Sequence, residues 1–334
     1  MEFQGIQFTG VFEMTYIFNT FHSISFHFVL IFNVYVYYMI FDNEDCYNYN
    51  IINETDNPVI PSSDVTIILM MEGSDRFKYD PFILSLSKKT IIQYNKGYKN
   101  CVKDEEVTAT TSDITHSYFT AFYYAKDYNN VIILEEDAEM YSKDLNEYTV
   151  VNKFLENEDF DVFTFGSSGI FRSYKPKLYN NNIYKLTGYT FAQAQLFSKK
   201  ARQKLYKTIK ENKYQGDIDV DYIEKLEQLY SYKNPLIVQL FPDTENKSNW
   251  GKGSGFGKVV GYISIQPMKA FLLITKLDKE TTGWKHIYSY NHYKLYIDYL
   301  IGFLGIYTLY KIAIWVYPKM KKRNLKFKNK IYRK

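Results

Sequence analysis

This sequence of 334 residues contains few cysteines, and its N-terminal part contains no positively charged residues. Only two cysteines occur, Cys46 and Cys101, so the chain can form at most one internal disulfide bond. They pair if this part of the chain lies in an oxidising compartment, and they are ordinary thiols if it is cytosolic. No Lys or Arg precedes Arg76. The N-terminal region is therefore not a basic nucleic-acid-binding arm.

Positive charge is concentrated at the other end of the chain. The net charge is +4, and the last sixteen residues carry nine Lys or Arg and no acid. Subtracting those nine leaves −5 for the rest of the protein, so we predict no nucleic-acid partner. Residues 299–317 form an apolar run interrupted only by Lys311, which is long enough to cross a bilayer as a helix. The adjoining basic tail predicts that the C-terminus is cytosolic. The alternative is a buried amphipathic helix with a solvated basic end.

A second apolar segment covers residues 23–41 and is followed by the acidic residues Asp42, Glu44 and Asp45. It fits a signal-anchor, an uncleaved signal sequence or a buried pair of strands, because no small-residue cleavage pattern follows it. Two spans with a cytosolic C-terminus would place the region between them in the lumen or outside the cell. We therefore predict a membrane protein with a luminal or extracytoplasmic central domain.

The central region alternates strand-like and helix-like patterns, which predicts an α/β sheet covered by helices. Strands are expected at 65–70, 91–94, 131–134, 161–166, 189–197 and 236–239, and helices at 113–128, 145–155, 199–212 and 221–229. The predicted organisation is an N-terminal segment (1–22), an apolar segment (23–41), a linker (42–63), a catalytic domain (64–258), a stem (259–298), a membrane helix (299–317) and a basic tail (318–334).

The most informative motif is an apolar run, 131–134, that leads directly into Glu135, Glu136 and Asp137. A buried strand that ends in three acids places repelling charges at the edge of a sheet, where a divalent cation would stabilise them. Ligands of open α/β sheets bind beyond the carboxyl ends of the strands. Side chains alternate along an extended chain, so Glu135 and Asp137 are expected on one side and Glu136 on the other. The alternative is an acidic loop that faces solvent.

Several short signatures, in order, resemble glycosyltransferase family 25, the lipopolysaccharide-type and collagen-type galactosyltransferases. The acidic strand end 134–138 resembles the family's Leu-Glu-Asp-Asp-Ala, and Thr115-His116 resembles its Ser-His. Further similar stretches are an opening strand and turn (67–76), a strand that ends in glycine (161–166), an apolar strand that leads into Ser-Lys-Lys (187–199), an Ile-Asp motif (218–221) and a closing strand (235–239). Two departures are Glu136, where the family has Asp, and Leu69-Met70, where it has Asn-Leu.

The resemblance implies a GT-A-type nucleotide-sugar-binding domain and an inverting transfer of a hexose, galactose by default, from a UDP-sugar to a hydroxyl of a glycan or protein. It implies Mn²⁺ or Mg²⁺ held by Glu135 and Asp137, which would neutralise the departing diphosphate. Arg76 is expected at the nucleotide phosphates, and Glu136 at the ribose or the sheet surface. Two other functions remain open at this point: an inactive, membrane-bound glycan-binding protein and a metal-dependent phosphohydrolase.

The acceptor hydroxyl in such a reaction needs a carboxylate base. Asp219 is the predicted base, with Asp217 and Asp221 as neighbouring candidates. The alternative for Asp217 or Asp219 is a capping role at a helix that begins near Asp221. A glycine-rich stretch, 251–258, lacks the Lys-Ser/Thr ending of a phosphate-binding loop, so we predict no ATP site there.

Overall fold

The computed structural model describes residues 46–166, 176–189, 193–241, 269–270, 272–277 and 279–331. The predicted apolar segment 23–41 and the glycine-rich stretch 251–258 lie outside these ranges. The described part is a mixed α/β structure in which helices cover both faces of one large sheet.

Within the residues that the structure describes, the large sheet has nine strands, in the spatial order β1-β3-β2-β4-β9-β6-β10-β8-β7. The strands β3, β2 and β4 are parallel neighbours, and β9 runs antiparallel between β4 and β6. The strands of this sheet are β1 (Tyr47–Glu54), β2 (Val65–Met71), β3 (Lys89–Asn95), β4 (Asn130–Glu135), β6 (Val162–Thr164), β7 (Lys177–Leu178), β8 (Ile183–Leu186), β9 (Ala194–Ser198) and β10 (Leu229–Tyr232).

Burial explains why β2 and β4 lie at the centre of the sheet. Every residue of β2 except Met71 is buried, as are the four apolar residues 131–134 of β4. A strand that is covered on both faces has a continuous run of apolar residues, and such runs predicted β2 and β4. Because β3, β2 and β4 are parallel, their carboxyl ends meet at one edge of the sheet.

Two helices cover one face of the sheet and a third covers the other. The helices are α1 (Pro81–Leu84), α2 (Thr110–Tyr124), α3 (Leu145–Asn157), α4 (Lys199–Glu211) and α5 (Trp284–Ile331). Tyr118 and Phe119 of α2 and Leu205 of α4 belong to one apolar cluster, whereas Tyr148 and Phe154 of α3 belong to the other. The side chain of Ser198 starts α4 by accepting a hydrogen bond from the Ala201 N–H at 3.3 Å.

Two expectations are wrong in this region. Part of the predicted linker, Tyr47–Glu54, is the edge strand β1, which pairs antiparallel with β3. The helix expected at 221–229 is instead a π-helical turn at Ile218–Tyr222, a 3₁₀ turn at Ile223–Lys225 and the start of β10. The Asp221 carboxylate accepts a hydrogen bond from the Asp217 N–H at 2.8 Å at the start of this irregular turn.

A small antiparallel sheet joins the acidic strand end to the C-terminal part of the chain. It pairs β5 (Ala138–Met140) with β11 (Ile237–Gln239). Beyond it, α5 contains a stretch, Tyr296–Ile314, that is long and apolar enough to cross a membrane and is not buried by the rest of the protein. This stretch overlaps the predicted span 299–317. Cys46 and Cys101 form a disulfide bond.

Candidate functional site

A cavity of about 340 Å³ lies at the edge where the carboxyl ends of β2, β3 and β4 meet. Glu135, Glu136 and Asp137 line one wall together with Arg76. The opposite wall is formed by the end of β3, the loop after it and the first turns of α2, including Asn95, Tyr98, Asp113 and Ser117. The cavity therefore lies where α/β sheets bind ligands.

Glu135 is the last residue of β4, and hydrogen bonds fix both its backbone and its side chain. Its backbone N–H donates to the Gln193 carbonyl oxygen at 2.9 Å, which continues the β4–β9 pairing by one residue. The Tyr118 hydroxyl donates to Glu135 Oε1 at 3.2 Å from α2, which packs on the sheet. Strand and helix together fix the carboxylate at the cavity wall.

Asp137 is fixed by β11 and has one oxygen without a partner. The Gln239 side-chain amide donates to Asp137 Oδ2 at 2.9 Å, and the Leu240 N–H donates to the Asp137 backbone carbonyl at 3.1 Å. Asp137 Oδ1 is buried and has no hydrogen-bond partner among the residues that the structure describes. A buried carboxylate oxygen without a partner is costly, and a bound cation is one way to satisfy it.

The two carboxyl groups make ionisation of each other unfavourable. The pKa of Glu135 is raised from 4.5 to about 8, first by burial and then by the negative charges of Asp137 and Asp219. Burial raises the pKa of Asp137 from 3.8 to about 6, although the hydrogen bond from Gln239 and the charge of Arg76 oppose the rise. The protein itself therefore does not fully compensate the charge that this wall would carry when both groups are ionised.

Glu136 lines the same cavity as Glu135 and Asp137, and because residues 136–137 form a turn, the expected alternation of the three side chains stays a prediction. Its carboxylate forms an ion pair with the Arg76 guanidinium and accepts a hydrogen bond from the Met71 N–H at 3.1 Å. This pairing orients Arg76 and joins the end of β2 to the acidic turn. Arg76 still lines the cavity, so its expected contact with phosphates stays a prediction, and the expected ribose contact of Glu136 does too.

Of the three aspartates 217, 219 and 221, Asp219 is the one whose charge acts on the acidic wall. Its negative charge raises the pKa of Glu135, Tyr118 and Tyr189, and its side chain is half-buried. Asp217 and Asp221 are exposed, and the Asp217 side chain makes no capping bond to the turn that follows it. Asp219 is not among the residues that line the cavity.

Below Glu135, the sheet buries polar atoms that have no hydrogen-bond partner in the part of the chain that the structure describes. Gln195 of β9 lies opposite Ile133 of β4, and both its amide oxygen and its amide nitrogen are unpaired. The Gln193 Oε1 atom and the Tyr189 hydroxyl are unpaired as well. Buried polar atoms are nearly always hydrogen-bonded, so this group marks the protein interior beside Glu135 as unusual.

The opposite wall contains a buried ion pair that sequence reasoning missed. Lys103 pairs with Asp113 of α2, and Lys103 Nζ donates to Asn95 Oδ1 at 2.6 Å. Asn95 Nδ2 and the Tyr98 N–H donate to Asp113 Oδ2 at 3.2 and 3.3 Å. These residues come from the end of β3, the loop that follows it and the first turn of α2, and no known short motif indicates the network.

His116 lies behind this wall and serves the structure. Its Nδ1 is 2.8 Å from the Tyr47 hydroxyl, its Nε2 is 3.6 Å from Asp104 Oδ2, and its side chain is buried. Burial lowers the pKa of His116, although Asp104 opposes the effect. The histidine joins β1 to α2 and is not among the residues that line the cavity.

Comparisons with known proteins give no assignment. Among the residues that the structure describes, no group of three or more His, Cys, Asp or Glu side chains could hold a metal ion by itself. No protein-family model matches the chain, and no curated protein matches it in sequence. A solved structure titled "Crystal Structure of A197 from STIV" is 15% identical, covering 50% of this chain and 81% of its own, with a TM-score of 0.32. At that TM-score the likeness supports no conclusion about fold or function.

Proposed function

We propose that this protein is a membrane-anchored, metal-assisted glycosyltransferase that moves a hexose from a UDP-sugar to a hydroxyl of a glycan or protein. The proposal rests mainly on Glu135 and Asp137, which line one cavity. Both carboxyl groups have raised pKa values, and one Asp137 oxygen has no hydrogen-bond partner among the described residues. A site that surrounds a divalent cation with protein ligands alone uses more than two carboxylates. Mg²⁺ sites typically use one or two carboxylates and complete the shell with water and substrate phosphates.

Glu135 and Asp137 would hold Mn²⁺ or Mg²⁺, and the bound cation would supply positive charge to the leaving diphosphate. Arg76, held by Glu136, would add a second positive charge to the same oxygens. Asp219 would accept the proton of the acceptor hydroxyl while that oxygen bonds to the anomeric carbon and the bond to the diphosphate breaks. The GT-A assignment, the inversion and galactose as the default sugar come from the resemblance to family 25.

The membrane placement has two supports. The apolar stretch Tyr296–Ile314 is followed by a segment rich in Lys and Arg, which predicts a cytosolic tail. The disulfide between Cys46 and Cys101 is typical of an oxidising compartment, which predicts that the sheet lies in the lumen or outside the cell. The two predictions agree, because they place the sheet and the tail on opposite sides of one span.

The test is release of UDP from UDP-galactose and UDP-glucose by the purified full chain, with Mn²⁺ or with EDTA. We expect Mn²⁺-dependent UDP release that Asp137→Asn lowers by about 10²-fold or more, because it removes a carboxylate ligand. Asp127→Asn is the matched control, since Asp127 is exposed beyond the end of α2. Release of inorganic phosphate instead of UDP would show a phosphohydrolase, and glycan binding without turnover would show an inactive relative.

A further inference from the structure

Helix α4 carries a strong local positive charge. It contains six Lys or Arg and one acid, Glu211, which gives it a net charge of +5. Residues 1–318 together carry −5, so removing the +5 of α4 leaves −10 for the rest of that region. Lys200 and Lys207 form ion pairs with acidic side chains, whereas Lys199 and Lys210 form none with any residue that the structure describes. All four of these lysines are exposed.

A second cavity, of about 240 Å³, lies beside this face, between α4 and the C-terminal half of α2. Three aromatic rings and three polar or charged side chains line it: Phe122, Tyr123, Lys126, Arg202, Gln203 and Tyr206. The Tyr123 and Tyr206 rings stack at 5.9 Å, and Lys126 Nζ lies 4.9 Å from the centre of the Tyr123 ring. Helical spacing places Lys199 and Lys210 on the stripe of Gln203 and Tyr206, one turn beyond the cavity on either side.

Arg202 adds a buried positive charge to the lining of this second cavity. Its side chain is 2% exposed, and its guanidinium donates to the backbone carbonyl oxygens of Ala125, Tyr128 and Asn129. Its Nε has no hydrogen-bond partner among the described residues, and no carboxylate among them forms an ion pair with it. Burial lowers the pKa of Arg202 to about 10, although the charge of Asp64 opposes the change, so the group is a cation at neutral pH. Buried charges are normally paired, so this lining has an excess of positive charge.

We propose that α4 and the second cavity form an accessory binding site for an acidic saccharide, one that carries carboxylate or sulfate groups. The lysines and Arg202 attract the anionic groups, while the tyrosine rings and the Gln203 amide offer apolar faces and hydrogen-bonding atoms to a sugar ring. Pockets for drug-sized ligands begin at about 300 Å³, so this smaller cavity suits a single ring of a longer chain. The stripe from Lys199 to Lys210 extends about 16 Å at 1.5 Å per residue, which allows contact with further acidic units.

The disulfide bond favours a saccharide over a nucleic acid as the occupant. The bond between Cys46 and Cys101 is typical of an oxidising compartment, in the lumen or outside the cell, where the acidic polymers are mainly glycans. The second cavity shares no lining residue with the cavity at the strand ends. The inference therefore goes beyond the proposed transfer reaction and does not depend on it.

The test is acetylation of the lysines of the purified full chain, with the extent of modification at each lysine measured by mass spectrometry. The probes are hexasaccharides of a uronate polymer and of a sulfated polymer, a neutral hexasaccharide, and single-stranded DNA of equal charge. Reading each lysine separately distinguishes α4 from the basic C-terminal tail, which also attracts anions. Lys153 and Lys177 are exposed elsewhere on the protein and serve as internal controls.

We expect at least one acidic hexasaccharide to protect Lys126, Lys199 and Lys210 from acetylation, while Lys153 and Lys177 stay unprotected. In the double variant Lys199→Glu/Lys210→Glu, the concentration that half-protects Lys126 should rise about tenfold or more, because attraction becomes repulsion. The matched variant Lys153→Glu/Lys177→Glu makes the same change of charge and should leave that concentration unchanged. Protection of Lys126 by the neutral hexasaccharide or by DNA as effectively as by the acidic ones, or by none of the four probes, would overturn the assignment.

Discussion

The two walls of the cavity both bury carboxylates, but the protein's own cations compensate these carboxylates to different extents. On the β3–α2 side, Asp113 is paired with Lys103 and shares hydrogen bonds with Asn95. On the β4 side, Glu135 and Asp137 repel each other, and Arg76 is paired with the third acid, Glu136. The first wall has the features of a structural network and the second those of a binding site. The contrast teaches that burial of charge alone does not mark a site, because compensation must be incomplete as well.

The largest expected effect comes from removing the ion pair between Lys103 and Asp113 on the β3–α2 wall. Lys103→Met should lower the free energy of unfolding by about 3–5 kcal/mol, because it leaves Asp113 buried without a counter-charge. The measurement is urea denaturation of the full chain in detergent, followed by tyrosine and tryptophan fluorescence. The double variant Lys103→Met/Asp113→Asn should recover much of the loss. A loss below 1 kcal/mol would show that this wall is not held by its ion pair.

A smaller effect should follow from removing the covalent link beside the same wall. Replacing both Cys46 and Cys101 by Ala should lower the free energy of unfolding by about 2–4 kcal/mol, because the bond closes a loop between residues 55 positions apart. Thermal unfolding of the variant and of the parent, with and without reductant, measures this. The variant should no longer respond to reductant, and a parent that is equally insensitive would mean that the two thiols are not paired.

The smallest and most specific effect concerns Glu135, on the β4 wall of the cavity. The raised pKa means that the folded protein holds a proton on Glu135 that the unfolded chain releases between about pH 4.5 and 8. Without divalent cations, stability should therefore fall as the pH rises through this window. Glu135→Gln should reduce that fall, which is measured by denaturation at several pH values in EDTA.

Mn²⁺ affinity should change in the opposite direction across the same window. A cation needs ionised ligands, so binding to the parent protein should strengthen up to about pH 8 and then level off. Calorimetric titration at several pH values checks this. A pH-independent affinity in the parent would mean that Glu135 does not take part in binding.

Local sequence patterns predicted the elements that are buried or strongly periodic. The apolar runs of β2 and β4 and the helical spacing of α2 were sufficient, because each pattern has its structural cause within one element. The edge strand β1 was missed because its sequence is rich in Asn and half exposed. Its place depends on pairing with β3, which no pattern within residues 47–54 reveals.

The candidate site could be predicted only in part, for the same reason. The apolar run that ends in three acids predicted carboxylates at the edge of the sheet, and Glu135, Glu136 and Asp137 line the cavity there. The contacts from Tyr118 and Gln239 join positions 17 and 102 residues apart in the chain, so they depend on the tertiary fold. The turn around Asp219 also differed from the predicted helix, because π-helical and 3₁₀ turns occupy Ile218–Lys225.

The bond between Cys46 and Cys101 has a consequence for how the chain responds to proteases. It encloses β1, β2 and β3, so a cut at the exposed turn near Tyr79 would leave two fragments that stay attached to each other. Such a nicked molecule should migrate as one band on a non-reducing gel and as two after reduction. Clipping on that side of the sheet would then not release the strands on which the cavity is built.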